Sequence, residues 1–176
     1  MCFAGECNLT FPPQQRFGEK GKQNLLPKAE TLLKATLLAN KMELIRMEPK
    51  IKDRYGTYAE AGKVKTPLGE WNFILIAREY FYGQFVGCGR YIMSRALKEG
   101  RKLLIYVEDK SSIFVYDPYE VYESEGIQVS MRNGMQEYYD FKWNLGKKLT
   151  IWIADYIKRI EDVHQTKIPE YTEVSK

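Results

Sequence analysis

The sequence predicts a single α/β domain whose mixed β-sheet is flanked by helices, with a hairpin and a helix at its C-terminal end. Three observations carry that expectation. The run Phe73-Ile74-Leu75-Ile76-Ala77 is apolar at every position, as in a strand buried on both faces. Segments with helical spacing stand on either side of it, in "PKAETLLKATLLANKM" and "RYIMSRALKEG". Asn133-Gly134, the dipeptide favoured by a type I′ turn, separates two strand-like stretches.

Taken in order, residues 1–24 are rich in Pro, Gly and Gln, have no period, and read as an irregular arm. The domain is expected over residues 25–164. In its first helix Ala29, Leu32, Leu33, Thr36, Leu37 and Asn40 fall at helical spacing, and Pro27 suits the first turn. "ELIRMEP" alternates as a short strand that Pro49 stops, and a second strand is expected near residues 57–65. The turn signal "TPLG" leads into the apolar strand at 71–78. "GQFVGCGR" reads as a strand-to-helix turn, because its glycines lack the Lys-Ser/Thr ending of a phosphate loop. In the second helix Tyr91, Ile92, Met93, Ala96 and Leu97 form one face and Gly100 ends it. "KLLIYVED" and "IFVYDP" read as antiparallel strands, "YEVYESEG" as about one helical turn, and "IQVSMRNGMQEYYDFKW" as the hairpin. The last helix places Leu149, Trp152, Ile153, Tyr156, Ile157 and Ile160 on one stripe, before a polar tail at 165–176 that is expected to fray.

The totals narrow the function classes. A chain of 176 residues, 44% hydrophobic and 28% charged, has the balance of a globular protein. A net charge of +4 permits a polyanionic partner without requiring one. No apolar run approaches the roughly 20 residues that span a bilayer. The N-terminal segment lacks the basic start and apolar core of a secretory signal, so a cytoplasmic protein with no membrane partner is expected. Lys, Glu, Ile and Tyr are frequent and His164 is the only histidine, a composition that leans towards thermophiles. Cys2, Cys7 and Cys88 do not have the spacing of a zinc site.

The helix–strand–strand–strand–helix–strand order of residues 27–108 resembles the core of the restriction-endonuclease-like nucleases, many of them from phages, viruses and mobile elements. The resemblance covers about half the chain and is one of topology. It implies a nucleic-acid partner and a Mg²⁺ ion held by a carboxylate on the second strand and a Glu-x-Lys pair on the third. Hard oxygen ligands hold such an ion, and the lysine orients or activates the attacking water. The implied second-strand metal carboxylate is Asp53 or Glu60. Where Glu-x-Lys belongs, the chain reads Ile76-Ala77-Arg78, so the basic residue is kept and the carboxylate is not. Glu79 stands next to it and Glu70 at the strand's start. Glu60, Arg78 and Glu79 are thus the catalytic candidates, in a motif expected to give weak or no cleavage.

For nucleic acid, the candidates are Arg90, Arg95, Lys98, Arg101 and Lys102, on or just after the second helix. A second basic group, Lys142, Lys147, Lys148, Lys158 and Arg159, surrounds the last helix. Glu99, Asp155 and Glu161 interrupt both, as they would on an ordinary solvated face. Tyr80, Phe81 and Tyr82 crowd the exit of the apolar strand, where aromatics can stack on unpaired bases. Two rival readings stand beside this one: a non-catalytic protein-interaction module, and an enzyme with Cys88 as nucleophile and His164 as base. The oligomeric state stays open, a homodimer included.

Overall fold

A computed structural model describes residues 25–46, 51–52, 58–67, 69–132 and 136–175. Helix α1 (residues 25–39) buries Leu25, Leu26, Ala29, Leu33 and Leu37, the face its spacing predicts. The chain then forms β1 (Glu43–Arg46), β2 (Ile51–Lys52), β3 (Tyr58–Thr66) and β4 (Gly69–Arg78). Thr66 pairs with Gly69 across the tight turn between β3 and β4, and its Oγ1 donates to the Gly69 carbonyl at 2.8 Å. After β5 (Phe85–Gly89) come α2 (Arg90–Lys98), β6 (Arg101–Val107), β7 (Ser112–Tyr116) and α3 (Pro118–Glu123). The chain closes with β8 (Gln128–Arg132), β9 (Gln136–Lys142), β10 (Lys147–Lys148) and α4 (Leu149–Ser175).

The main sheet runs β1-β3-β4-β6-β7-β10, with β2 on the same edge of β3 as β1. Among the described residues only β4 and β6 pair in parallel, and α2 lies in the crossover between them. β4 is therefore central, as its unbroken apolar run predicts: Phe73 through Arg78 are all buried.

Alternation along the strands sends two hydrophobic sets to opposite faces. Trp71, Phe73, Leu75, Leu104, Ile113 and Val115 pack under α1 and α4. Ile74, Ile76, Leu103, Ile105, Phe114 and Tyr116 pack against α2, α3 and a second sheet. That second sheet, β5-β9-β8, corrects one sequence expectation. The hairpin forms, but it pairs with "FVGCG", which is a strand and not a connecting turn. Gly87 lets β9 come close, since a Cβ there would lie 2.5 Å from the Tyr139 carbonyl and from Asp140 Oδ1. The Asn133-Gly134 turn itself lies outside the described residues.

Beyond Gln165 the backbone of α4 stays helical to Ser175, further than the polar composition suggests. Among the described residues, no helix is long and apolar enough to cross a membrane.

Candidate functional site

The catalytic candidates do not converge. Glu60 is paired with Leu75 in the β3–β4 ladder, so its side chain shares the α1 face of the sheet. It is 6% exposed and lines a cavity of about 10 Å³ with Glu30, Leu33 and Phe73. Arg78, three residues past Leu75, points to the opposite face. Its Nη2 donates to the Gly87 carbonyl at 2.8 Å and to Tyr138 Oη at 3.0 Å, and its Nη1 donates to the Ala77 carbonyl at 2.9 Å. The guanidinium thus fastens the small sheet to β4, and the sheet itself stands between it and Glu60.

Glu79 follows the last residue of β4 and is half-buried; its carbonyl accepts from the Asp109 amide at 3.0 Å. Asp53, the other metal candidate, lies outside the described residues. Among the described residues no three His, Cys, Asp or Glu side chains are grouped to hold a metal. Glu60 and Arg78 do not fit the magnesium site that the nuclease resemblance implies.

Cys88 is fully buried, and its thiol is pushed up to about 12 by burial, which outweighs the opposing charge of Arg78. A thiol held protonated and closed off from solvent is a packing group, not a nucleophile. The side chain of His164 lies outside the described residues.

The first basic group is split by the pleat of β6. Arg101 is 7% exposed; its Nη1 donates to the carbonyls of Gly62 and Phe73, and its Nε donates to Glu99 Oε1 at 2.6 Å. Arg95 grips the same carboxylate through Nε at 2.8 Å and Nη2 at 3.0 Å. The Arg95 hydrogen bond, with help from Arg101, holds the Glu99 carboxyl at about 2 in spite of its partial burial. Arg90 and Lys98 remain on the outer surface of α2. Lys102 points the other way, towards α4.

There it meets the second basic group. Lys102, Lys147, Lys158 and Arg159 all line one cleft of about 500 Å³ between the β7–β10 edge and α4. Asp117, Glu120, Asp155 and Asp162 line it as well, and Val115, Leu145 and Trp152 are its apolar residues. Trp152 is fixed there, stacked on Tyr156 with ring centroids 5.3 Å apart and edge-on to Trp71 at 4.8 Å. Two of the cations are tethered: Lys102 Nζ to Asp117 Oδ2 at 3.0 Å, and Lys147 Nζ to Asp155 Oδ2 at 3.1 Å. Burial pushes the Asp117 carboxyl up, but Lys102 and the amides of Glu120 and Tyr119 outweigh it, and its pKa falls below the ordinary value. Lys158, Arg159 and Glu120 are exposed.

The sequence does contain these residues as two separate basic groups. Their meeting depends on β10 returning to the β7 edge, through the pairs Lys147–Val115 and Lys148–Phe114. Compared with known proteins, the chain matches no family model, no curated protein and no solved structure.

Proposed function

We propose that this chain is a nucleic-acid-binding protein of nuclease-like architecture in which metal-dependent cleavage is weak or absent. The observation that carries the reading is the convergence of Lys102, Lys147, Lys158 and Arg159 on one cleft with an aromatic wall. The cleft is open and mostly charged, with three apolar residues beside its eight charged ones. Cations on the rim match a phosphate backbone, and the carboxylates between them keep the attraction modest and sensitive to salt. The central parallel pair of β4 and β6, with α2 in the crossover between them, is what supports the nuclease-like comparison, while β2 and β5 are additions to the order that the resemblance implies. The placement of Glu60 and Arg78 on opposite faces favours a chain that binds without cutting.

Fluorescence anisotropy with labelled DNA and RNA over a salt series tests the binding. Affinity should fall as salt rises, and Lys158→Gln with Arg159→Gln should weaken it and flatten the slope by about 1.5–2. Incubation with supercoiled, single-stranded and branched DNA plus Mg²⁺ or Mn²⁺ tests the chemistry. Robust cleavage that is lost on Glu60→Ala or Glu79→Ala would overturn the second half of the reading.

One observation favours a protein partner instead. Tyr80 and Tyr82 stand exposed at the exit of β4 with ring centroids 5.4 Å apart. Beside them Phe81 stacks on the partly exposed Trp143 at 5.3 Å. Such an aromatic tip is suited to anchoring in a protein pocket.

A further inference from the structure

We infer that β8 is a docking edge for a second copy of this chain. Two molecules join through antiparallel β8 strands, and their small sheets become one six-stranded sheet, β5-β9-β8-β8-β9-β5. The inference goes beyond the nucleic-acid reading and does not depend on it. An unpaired strand edge is a row of free amides and carbonyls that a neighbouring chain can complete. β10 closes one border of the main sheet with two exposed lysines. β1 and β2, on the other border, are four and two residues long, and β1 carries Glu43 and Arg46 at its ends. In the small sheet, β5 is fastened to β4 where its Gly87 carbonyl accepts from Arg78 at 2.8 Å. β8 has no such protection. Among the described residues it pairs with β9 alone. It reads Gln128-Val129-Ser130-Met131-Arg132, uncharged until its last residue.

Apolar surface is left open at this edge. Val129 is paired with Tyr139 and so shares the core-facing side of the small sheet, yet it is 55% exposed. Tyr122, edge-on to the same Tyr139 ring with centroids 5.9 Å apart, is 50% exposed. A strand added to β8 continues the ladder and covers Val129. The charges point to the chain itself as the occupant. Glu123 and Glu125, both exposed, lead into β8, and Arg132 ends it. Antiparallel pairing about a two-fold axis beside Ser130 sets Gln128 of each copy opposite Arg132 of the other. Arg132 of each copy then lies at the acidic lead-in of its neighbour, and symmetry makes the attraction twice. A parallel arrangement would set the two acidic lead-ins side by side instead. Because both copies use the same edge, the pairing closes on itself and stops at two. The ladder is only five residues long, so the association is weak and depends on concentration.

Light scattering on gel-filtered protein, from about 1 µM to about 1 mM, reads the mass directly. The expected result is a monomer at the low end that passes to a dimer as concentration rises. Val129→Lys puts a charge on an exposed edge position, as the lysines of β10 do. It should raise the dimer Kd at least about 10-fold and leave the near-UV circular dichroism of the dilute protein unchanged. Arg132→Glu and Glu125→Arg should each weaken the dimer about 3- to 10-fold, and the two together should return it to within about 2-fold of the parent. A parent that stays monomeric throughout overturns the inference and leaves the β8 edge to a strand from another protein. A dimer indifferent to both Val129→Lys and Arg132→Glu overturns it as well, and moves the contact to another surface. Single charge reversals that do not rescue each other overturn the antiparallel pairing.

Discussion

Arg78 on β4 donates to the backbone carbonyl of Gly87 on β5 at 2.8 Å, and this contact links the two sheets of the molecule. A buried guanidinium that reaches two carbonyls and a tyrosine hydroxyl is held by geometry, and its removal leaves those acceptors without donors. Arg78→Ala should lower unfolding stability by about 3 kcal/mol, read from the urea midpoint. Arg78→Lys should restore little of it, because a single ammonium lacks the planar fork. Oligonucleotide affinity per folded molecule should not change in either variant.

A second prediction concerns Gly87 against Gly126. A methyl at Gly87 would collide with the β9 backbone and with Asp140, whereas at Gly126 the nearest atom is the Lys142 Cε at 3.7 Å. Gly87→Ala should cost roughly 2–3 kcal/mol or more, as overpacking against backbone does. Gly126→Ala should stay within about 0.5 kcal/mol of the parent. Thermal melts of the two variants side by side give the comparison, and equal melting temperatures would refute it.

Cys88 supplies a test in alkaline solution. Its thiol rises from an ordinary 9.0 to about 12 on folding, so the unfolded chain loses that proton first as pH rises. Between those values the folded state binds more protons than the unfolded state, and stability falls by about 1.4 kcal/mol per pH unit. Burial raises the Tyr116 hydroxyl in the same direction. Cys88→Ala should reduce the alkaline slope. In a Cys2→Ser, Cys7→Ser background, a thiol reagent at neutral pH should label the native protein only as it unfolds.

Glu99 gives the opposite test in acid. Its carboxyl drops from 4.5 to about 2 on folding, chiefly through the Arg95 hydrogen bond. The stabilisation it brings is present above 4.5 and is lost as pH falls towards 2. Glu99→Gln should flatten that part of the stability profile. At neutral pH it should cost about 1–2 kcal/mol, because Arg101 loses its carboxylate while keeping its carbonyl acceptors. A profile unchanged between the two proteins would show that Glu99 does not hold the pair.

The elements themselves were legible where a local pattern fixes them. The apolar run of β4, the spacing of α2 and the paired segments around Asn133-Gly134 each announce their structure. β5 was not, because Gly87, Cys88 and Gly89 look like turn residues until β9 is laid across them. The relation of Glu60 to Arg78 rests on register, and a shift of one residue between β3 and β4 would have put both on one face. In the sequence Arg101 and Lys102 look like one patch, but they open a strand, and neighbours on a strand part company. The cleft needs β10 to come back to β7 from more than thirty positions away, and no local signal in the sequence encodes that.

The brevity of β10 has a consequence for behaviour in concentrated solution. A sheet that ended at β7 would offer a line of unsatisfied amides and carbonyls to any neighbouring chain, the usual seed of fibrillar association. Here that border is capped by two residues, both lysines and both exposed. A foreign strand trying to extend the sheet would find too short a ladder and would have to strip water from two ammonium groups. Colloidal stability on this side of the molecule is therefore kept by Lys147 and Lys148, and their replacement by valine would invite strand-to-strand aggregation.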